Sequence, residues 1–460
     1  MTRTGAGGAG AAPMKNPGGQ DVSVSEQAPQ SLETATMRRV ILRLVPFLMV
    51  CYFFALLDRV NVGFAALQMN KDLGLTPAMF GFAASLFFVS YFLVEVPSNL
   101  ALQRVGARRW IARIMITWGL VTMGMALVAG PYSLYAMRFV LGAAEAGFFP
   151  GAILYLTYWL PSAYRARILA TFTVSIPLAT FLGSPLSVSL LELDGALGLK
   201  GWQWLFVLEG VPTILLGICC LFVLTDRPRD AAWLDAPQRA WLVGRLAEEA
   251  ARRTPVGHIS LWQLARNKYF VTMALVCAGA SATGSVLSVW QPQIIKAYGL
   301  TNLQTGFVNA IPYGFATVLM ILWGRRSDRS GERTWHTALP LTLAAFGLAY
   351  LSLSGSLATT IAAVTCALVG AYAFKGPFWA LSAGWLSAGT LAAGLAGINA
   401  IANLIGGGLM VNVVGLVKEA TGSFALGMLP VAALDAAAAL SVLMISRAHA
   451  RDTRAAMAAA

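Results

Sequence analysis

Four ionisable residues stand where apolar sequence should exclude them. Asp58 and Arg59 are adjacent within the apolar stretch 44–67, and Arg138 and Glu145 fall seven residues apart within 132–159. A charge at the centre of a membrane helix costs roughly 2.5–3.5 kcal/mol on insertion scales, so intramembrane charges mark function by default. Arginine suits a planar carboxylate, because its fork donates two parallel hydrogen bonds and its charge cannot be lost. A buried carboxyl beside an arginine is poised to exchange a proton, since burial favours its neutral form and the cation its ionised one. The chemistry expected of this quartet is the handling of an anion and a proton together. Arg59 and Arg138 are the candidates for the anion's carboxylate, and Asp58 and Glu145 for the proton. In the bland alternative, Asp58–Arg59 and Arg138–Glu145 are buried pairs that only lock helices together.

Spacing supports a shared site. Residues seven apart on a 3.6-residue helix share one face, so Arg138 and Glu145 look the same way with Gly142 between them. At 1.5 Å per residue, Arg138 lies roughly 9 Å from one end of its segment and Glu145 roughly 20 Å, near the midplane. Arg59, on a helix running the other way, lies roughly 12 Å from the same side of the membrane.

The elements that carry these residues follow from composition. Of 460 residues, 57% are apolar and 12% charged, and the apolar ones fall in long blocks. A bilayer core needs about 20 apolar residues per helix, and twelve blocks qualify: 44–67, 78–102, 110–129, 132–159, 166–191, 202–224, 269–295, 304–324, 335–355, 358–382, 390–417 and 423–446. The expected fold is therefore an all-α membrane protein of twelve helices. The net charge of +13 raises nucleic acid as a partner, but its distribution excludes one. Arginines cluster before the first block (Arg38, Arg39, Arg43) and after the second (Arg104, Arg108, Arg109), the fourth (Arg165, Arg167), the eighth (Arg325, Arg326, Arg329, Arg333) and the last (Arg447, Arg451, Arg454). The alternate loops offer only Lys71, Lys200, Lys296 and Lys418. By the positive-inside rule both termini are cytoplasmic, as in a multi-pass protein of the inner membrane.

Cofactors and metals are not expected. Cys51, Cys219, Cys220, Cys277 and Cys366 all lie within apolar blocks, and no pair has metal-ligand spacing. His258, His336 and His449 fall in loops or the tail, which leaves no histidine relay inside the membrane; the coupling ion expected is the proton, carried by carboxylates.

Along the chain, residues 1–37 are rich in Gly, Ala, Ser, Pro and Gln and read as a disordered cytoplasmic tail without a cleaved signal peptide. The one long loop, 225–268, opens a surface helix with Asp235-Ala-Pro237 and continues amphipathically over 238–253. It divides the chain into six-helix bundles at 38–224 and 269–446, with a tail at 447–460. The halves echo each other. After the second block comes Asn99-Leu-Ala-Leu-Gln103-Arg104-Val-Gly106-Ala-Arg108-Arg109, and after the eighth Gly324-Arg325-Arg326-Ser-Asp328-Arg329-Ser-Gly331-Glu332-Arg333. Internal repeats with a site at their interface are the general plan of secondary transporters.

Other polar residues are less specific. Gln291, Asn309, Tyr313, Asn399 and Asn403 either line a cavity or hydrogen-bond between helices. Lys375, just before Gly376-Pro377, either meets a second carboxylate or snorkels towards the cytoplasm. Trp379 either stacks on a substrate or packs. Asp435, in the last block, has no evident sequence rationale.

Twelve helices and the duplicated turn resemble the major facilitator superfamily, whose signature turn is matched at 324–333. In the first copy Gln103 stands where the family's acid belongs and Asn99 where its glycine does, which puts in doubt a strong latch there. The chain is most similar to the anion:cation symporter family, and within it to the tartrate and 4-hydroxyphenylacetate permease branch, relatives of the galactonate transporter and sialin. Leu57-Asp58-Arg59-Val-Asn61-Val-Gly63-Phe64, Tyr91-x-x-x-Glu95-Val-Pro97-Ser-Asn99 and Arg138-Phe-Val-Leu-Gly142-Ala-Ala-Glu145-Ala-Gly147 carry the resemblance. So do Trp202-x-Trp204-x-Phe206-x-x-Glu209-Gly210, Gly376-Pro377-Phe378-Trp379 and Asn399-x-x-x-Asn403. The resemblance implies two pseudo-symmetric bundles, proton carriage at Asp58 and Glu145, and substrate contact at Arg59 and Arg138. It further implies a cavity position for Tyr91, gating turns built on Arg104, Gly106, Arg108, Gly324, Asp328, Arg329, Gly331 and Arg333, and structural or gating parts for Glu95 and Glu209.

The function expected is uptake of a small organic anion, a hydroxy, sugar or aromatic carboxylate, with protons and by alternating access, in a monomer. A proton-coupled drug or metabolite exporter is the rival; the glycine-proline-rich signature of such antiporters is thin here, reduced to Gly183-Ser184-Pro185-Leu186. A membrane sensor or membrane enzyme is less favoured, because no nucleotide loop, metal cluster or nucleophile–base motif is present.

Overall fold

The computed structural model describes residues 24–251, 266–385 and 391–459, and among them there is no strand. Twelve helices are long and apolar enough to cross a bilayer. In order they are helix one Ser31–Asp72, two Pro77–Val105, three Ala107–Leu127, four Pro131–Thr157, five Thr171–Leu191 and six Gly201–Val223. Helices seven to twelve are Lys268–Lys296, Asn302–Ser330, Thr334–Leu353, Leu357–Trp385, Gly394–Thr421 and Phe424–His449. Their ends are encoded locally. Thr76 accepts from the Met79 amide ahead of Pro77, Asn267 caps helix seven, and Thr301 and Gln304 form a reciprocal capping box. Such caps matter because first-turn amides find no partner in lipid.

The two halves pack alike. Helix three lies on six as nine lies on twelve, two on four as eight on ten, and one on six as seven on twelve. The halves then meet along helices one and seven, two and eleven, and five and eight. Close approaches concentrate at the arginine-poor end. A Cβ on Gly63 would fall 2.8 Å from the Ser288 carbonyl oxygen, and one on Gly306 2.9 Å from that of Ser184. Hydrogen bonds join the halves at the same end: Asn70 to Gln293 (3.4 Å), the Ala78 amide to Glu419 (2.8 Å) and Asn309 to Ser184 (2.9 Å).

Three features differ from a plain reading of the sequence. The first helical element begins at Val24, inside the segment expected to be a disordered tail. Docking overrides composition there, because Met37 is buried in the apolar core and Tyr164 donates to Glu33 at 3.0 Å; residues 1–23 lie outside the described residues. The linker helix, Ala236–Ala251, is tied to the first bundle by Arg39–Asp235 (3.2 Å) and Arg165–Glu249 (3.6 Å). Three membrane helices are irregular: four divides into Pro131–Glu145 and Phe148–Thr157, ten loosens at Phe374, whose amide meets the Gly370 oxygen at 3.4 Å, and eleven carries a π-helical stretch over Leu404–Met410. Broken helices and π-bulges cluster at binding sites in transporters.

Candidate functional site

The break in helix four falls directly after Glu145. Ala146 turns extended and Gly147 takes φ +91°, a left-handed conformation that costs a side-chain-bearing residue roughly 1–2 kcal/mol. A Cβ there would also overlap the Ser98 hydroxyl of helix two, so glycine fits on two counts. Glu145 thus ends a half-helix in the middle of the first bundle, 1% exposed. Its Oε1 accepts from Arg59 Nε at 2.7 Å, across helices one and four, and its Oε2 has no hydrogen-bond partner among the described residues.

This pairing replaces the two local ones that the bland reading supposed. Adjacent residues on a helix point about 100° apart, and residues seven apart lie about 10 Å apart along the axis. Neither Asp58–Arg59 nor Arg138–Glu145 closes an ion pair, and each carboxylate takes at least one partner on another helix. Asp58 is buried and accepts from Asn61 Nδ2 (2.7 Å), from the Thr122 hydroxyl (3.0 Å) and from the Trp118 indole N–H. All three donors are neutral. Trp118 and Thr122, one turn apart on helix three, were not foreseen; their signal is a hydrogen-bonding pair at i, i+4 in a mostly apolar block.

Arg138 is the exception within the cluster. It is 1% exposed, its Cζ lies 4.8 Å from the Phe87 ring centroid, and its Nε and Nη1 have no hydrogen-bond partner among the described residues. Asp58 and Glu145 neutralise it only through space. Arg59 lies 5.8 Å from the same Phe87 ring and 4.9 Å from that of Tyr91. One aromatic ring thus lies within cation–π distance of both guanidiniums, an interaction the ring's negative face favours. Tyr91, given a cavity position by the resemblance, is buried beside Arg59.

Two further glutamates join this neighbourhood. Glu209 of helix six, expected to be structural or gating, is 3% exposed and lies within electrostatic range of Asp58. Its Oε1 accepts from Ser187 at 2.9 Å, and its Oε2 has no partner among the described residues. The sequence signal was the one that exposed Asp58, an acid within an apolar block. Glu95 of helix two lies within electrostatic range of Arg59.

The second bundle is different. Gln291 donates to the Asn309 carbonyl oxygen at 3.2 Å, and Asn309 reaches Ser184 of helix five, so both serve packing at the arginine-poor end. Asn403 accepts from Ser281 at 3.4 Å, and Asn399 is half-buried. Tyr313 is buried against Tyr372 with ring centroids 6.4 Å apart, and its hydroxyl has no partner among the described residues. Trp379 packs edge-on against Phe378. Lys375 is half-buried, with Nζ 4.8 Å from the Tyr372 ring centroid. Asp435 of helix twelve is fully buried, and Thr283 of helix seven donates to its Oδ2. Of the C-terminal residues singled out, Tyr313 and Lys375 share one patch around Tyr372 and Gln291 pairs with Asn309; the rest are dispersed.

The arginine turns hold their own acids. Gly106 takes φ +98°, and a Cβ there would fall 2.9 Å from Asp226 Oδ1, which accepts from the Arg108 amide at 2.9 Å. Asp226, beyond helix six, thus caps helix three in place of the acid missing at Gln103. Arg104 is exposed. In the second turn, Arg333 pairs with Asp328 at 2.8 Å, Gly331 takes φ +67°, and Gly324 and Arg329 lie on the last turns of helix eight. Glu332 caps helix nine through the Trp335 amide (2.7 Å) and the His336 amide (3.0 Å). Partial burial pushes the Glu332 carboxyl up, but the hydrogen bonds from the His336 ring and these amides outweigh it and hold it below the usual carboxylate range.

With this geometry in place, likeness to known proteins can be set beside it. Residues 48–411 match the family model of the Major Facilitator Superfamily. The chain is 50% identical over 416 residues to a candidate tartrate transporter of Agrobacterium vitis, a match covering 90% of this chain and 96% of that one. It is 39% identical over 400 residues to a quinolone resistance transporter of Acinetobacter baumannii, covering 86% and 91%. In fold it is similar to the crystal structure of a bacterial homologue of the human lysosomal transporter Spinster, inward-facing and occupied. There the TM-score is 0.73 at 18% identity, over 88% of this chain and 96% of that one.

Proposed function

The chain belongs to the Major Facilitator Superfamily and is a multi-pass membrane transporter, and we propose that it imports a small organic anion together with protons. The observation that carries this reading is Arg138, a buried guanidinium with unpartnered N–H groups beside an arginine already held by a carboxylate. A fork of that kind is matched by a planar carboxylate and not by a lipophilic cation. The tartrate relative supports an anion as cargo.

Glu145 and the substrate compete for Arg59. With the site open to the outside, Glu145 takes a proton and releases Arg59, so that both arginines turn to the incoming carboxylate, and Asp58 is the second proton carrier. The charge-balanced site lets the two bundles rock about the midplane. Substrate then leaves, Glu145 and Asp58 give up their protons, and Arg59 returns to Glu145. The positive-inside rule places the arginine-rich end and both termini in the cytoplasm of an inner-membrane protein. Closure at the arginine-poor end then corresponds to an inward-facing state. All four charges come from one chain, which suits a monomer.

Reconstitution tests this reading. Proteoliposomes under an inward proton gradient should accumulate one or more of a panel of hydroxy, sugar and aromatic acids above the level reached without the gradient. No accumulation of any acid, with proton-driven efflux of a quinolone loaded inside, would replace the importer by the exporter that the second relative's name describes.

A further inference from the structure

Between the buried acids of helices one and six stands Asn61, which the proposed cycle leaves unused. It is buried one turn beyond Asp58 on helix one, and its Nδ2 donates to Asp58 Oδ1 at 2.7 Å. Its side chain also lies within hydrogen-bonding reach of Glu209 on helix six. Two atoms of this group are left over. Asn61 Oδ1 has no donor among the described residues, and Glu209 Oε2 has no partner there either. An amide oxygen and an ionised carboxylate oxygen are both acceptors, so neither can satisfy the other, and each bears the cost of its desolvation.

One proton resolves both. A carboxylic acid donates through its O–H, so a proton on Glu209 Oε2 supplies the donor that Asn61 Oδ1 lacks. Oε1 meanwhile goes on accepting from Ser187 at 2.9 Å. The charges agree. Asp58, Arg59, Arg138 and Glu145 sum to zero, and an ionised Glu209 would add an anion that no described cation meets. Helix one brings it Asp58, a like charge, and helix five the neutral Ser187; helix three, also packed on helix six, brings it no charged group. A buried carboxyl that faces another carboxylate and no cation takes the neutral form. A monovalent cation would also suit two unpartnered oxygens, but Asp58 already accepts from Asn61, Thr122 and Trp118, so the arrangement fits a proton better.

We propose that Glu209 is a protonated carboxylic acid and a positioning residue for Asp58: its O–H holds the Asn61 carbonyl oxygen, and the amide so fixed presents its N–H to Asp58. The proposal rests on the reading of Asp58 as a proton carrier and adds a residue that sets how readily it takes the proton. Asp58 is otherwise faced by Arg138 and Glu145 of helix four through space, and by the neutral Trp118 and Thr122 of helix three. Asn61 is the donor whose aim depends on Glu209.

Infrared difference spectroscopy on the purified protein reads the first half of the proposal. At neutral pH the native-minus-Glu209→Gln spectrum should contain the carbonyl stretch of a protonated carboxylic acid, shifted in deuterium oxide. Absence of that band, or its disappearance when sodium is added, overturns the proposal. The pH profile of acid uptake into proteoliposomes reads the second half. Glu209→Leu should move the pH at which uptake falls to half upwards by about half a unit to one unit, the worth of one neutral hydrogen bond to ionised Asp58. Glu209→Gln should restore the native profile, because its amide both accepts from Ser187 and donates to Asn61. An unmoved profile in Glu209→Leu, with the variant folded by its melting transition, reduces Glu209 to packing and overturns the positioning role. Loss of proton coupling in Glu209→Gln would make Glu209 a proton carrier and overturn it as well. The infrared band needs no cargo, so a native protein that carries no acid brings down the importer reading while the band still decides the state of Glu209.

Discussion

The two bundles share a packing plan and differ in what they bury. The N-terminal half places Asp58, Arg59, Arg138, Glu145 and Glu209 in one neighbourhood, with carboxylates held by an arginine or by several neutral donors. The C-terminal half buries Asp435 against Thr283, and Lys375 against an aromatic ring. Asp435 nonetheless occupies a comparable place to Glu209, since each is an acid on an outer helix (twelve and six) turned towards the first helix of its half. A duplicated scaffold has thus kept its packing plan while most of its buried charges gathered in one copy.

The comparison breaks most directly at Arg138. Arg138→Gln should lower anion uptake by about 100-fold or more, the scale for truncating one partner of a buried charge pair. Arg138→Lys should recover only part of it, because an ammonium lacks the planar fork. Uptake retained in Arg138→Gln would move the anion site out of the first bundle.

Thr283→Val sharpens the contrast from the other side. It removes the hydroxyl that donates to Asp435 and should cost about 1–3 kcal/mol of stability, the price of a buried polar group left without its partner. A lower melting temperature in detergent with proton coupling intact is the expected outcome. A change in coupling would mean that the second bundle carries protons as well.

The arginine turns allow two smaller tests. Gly106→Ala meets both a left-handed backbone and the Asp226 carboxylate, and should destabilise by about 1–2 kcal/mol, read again as a melting shift. The cap on helix nine should respond to acid. Since the Glu332 carboxyl is held below its usual range, its contribution is present at neutral pH and fades as pH falls through that lowered value. Comparing the melting temperature of the native protein and Glu332→Gln across pH 7 to pH 3 checks the sign: the difference should narrow on acidification.

Much of this was legible in the sequence. Twelve apolar blocks, alternating arginines and the duplicated turn suffice for the fold, because hydrocarbon demands continuous helices and leaves charge only at their ends or in a site. The same logic exposes Asp58, Arg59, Arg138 and Glu145. Their pairing was not legible. Which arginine meets which carboxylate depends on how helices one and four cross and on the break at Ala146-Gly147, neither of which is set by spacing on one helix. Trp118, Thr122 and Asp226 escaped notice for a related reason, since each acts on a residue more than fifty positions away. The start of helix one was misjudged because low-complexity composition says nothing about docking on a distant tyrosine.

The central claim is that Glu145 trades Arg59 for a proton as the anion binds. It is tested most directly with a pH dye sealed inside proteoliposomes, adding the transported acid outside to the native protein and to Glu145→Gln. The native protein should acidify the interior; the variant should exchange labelled acid across the membrane without acidification and without accumulating it against a gradient. Acidification of equal size in both would contradict the account and pass the proton to another carboxylate.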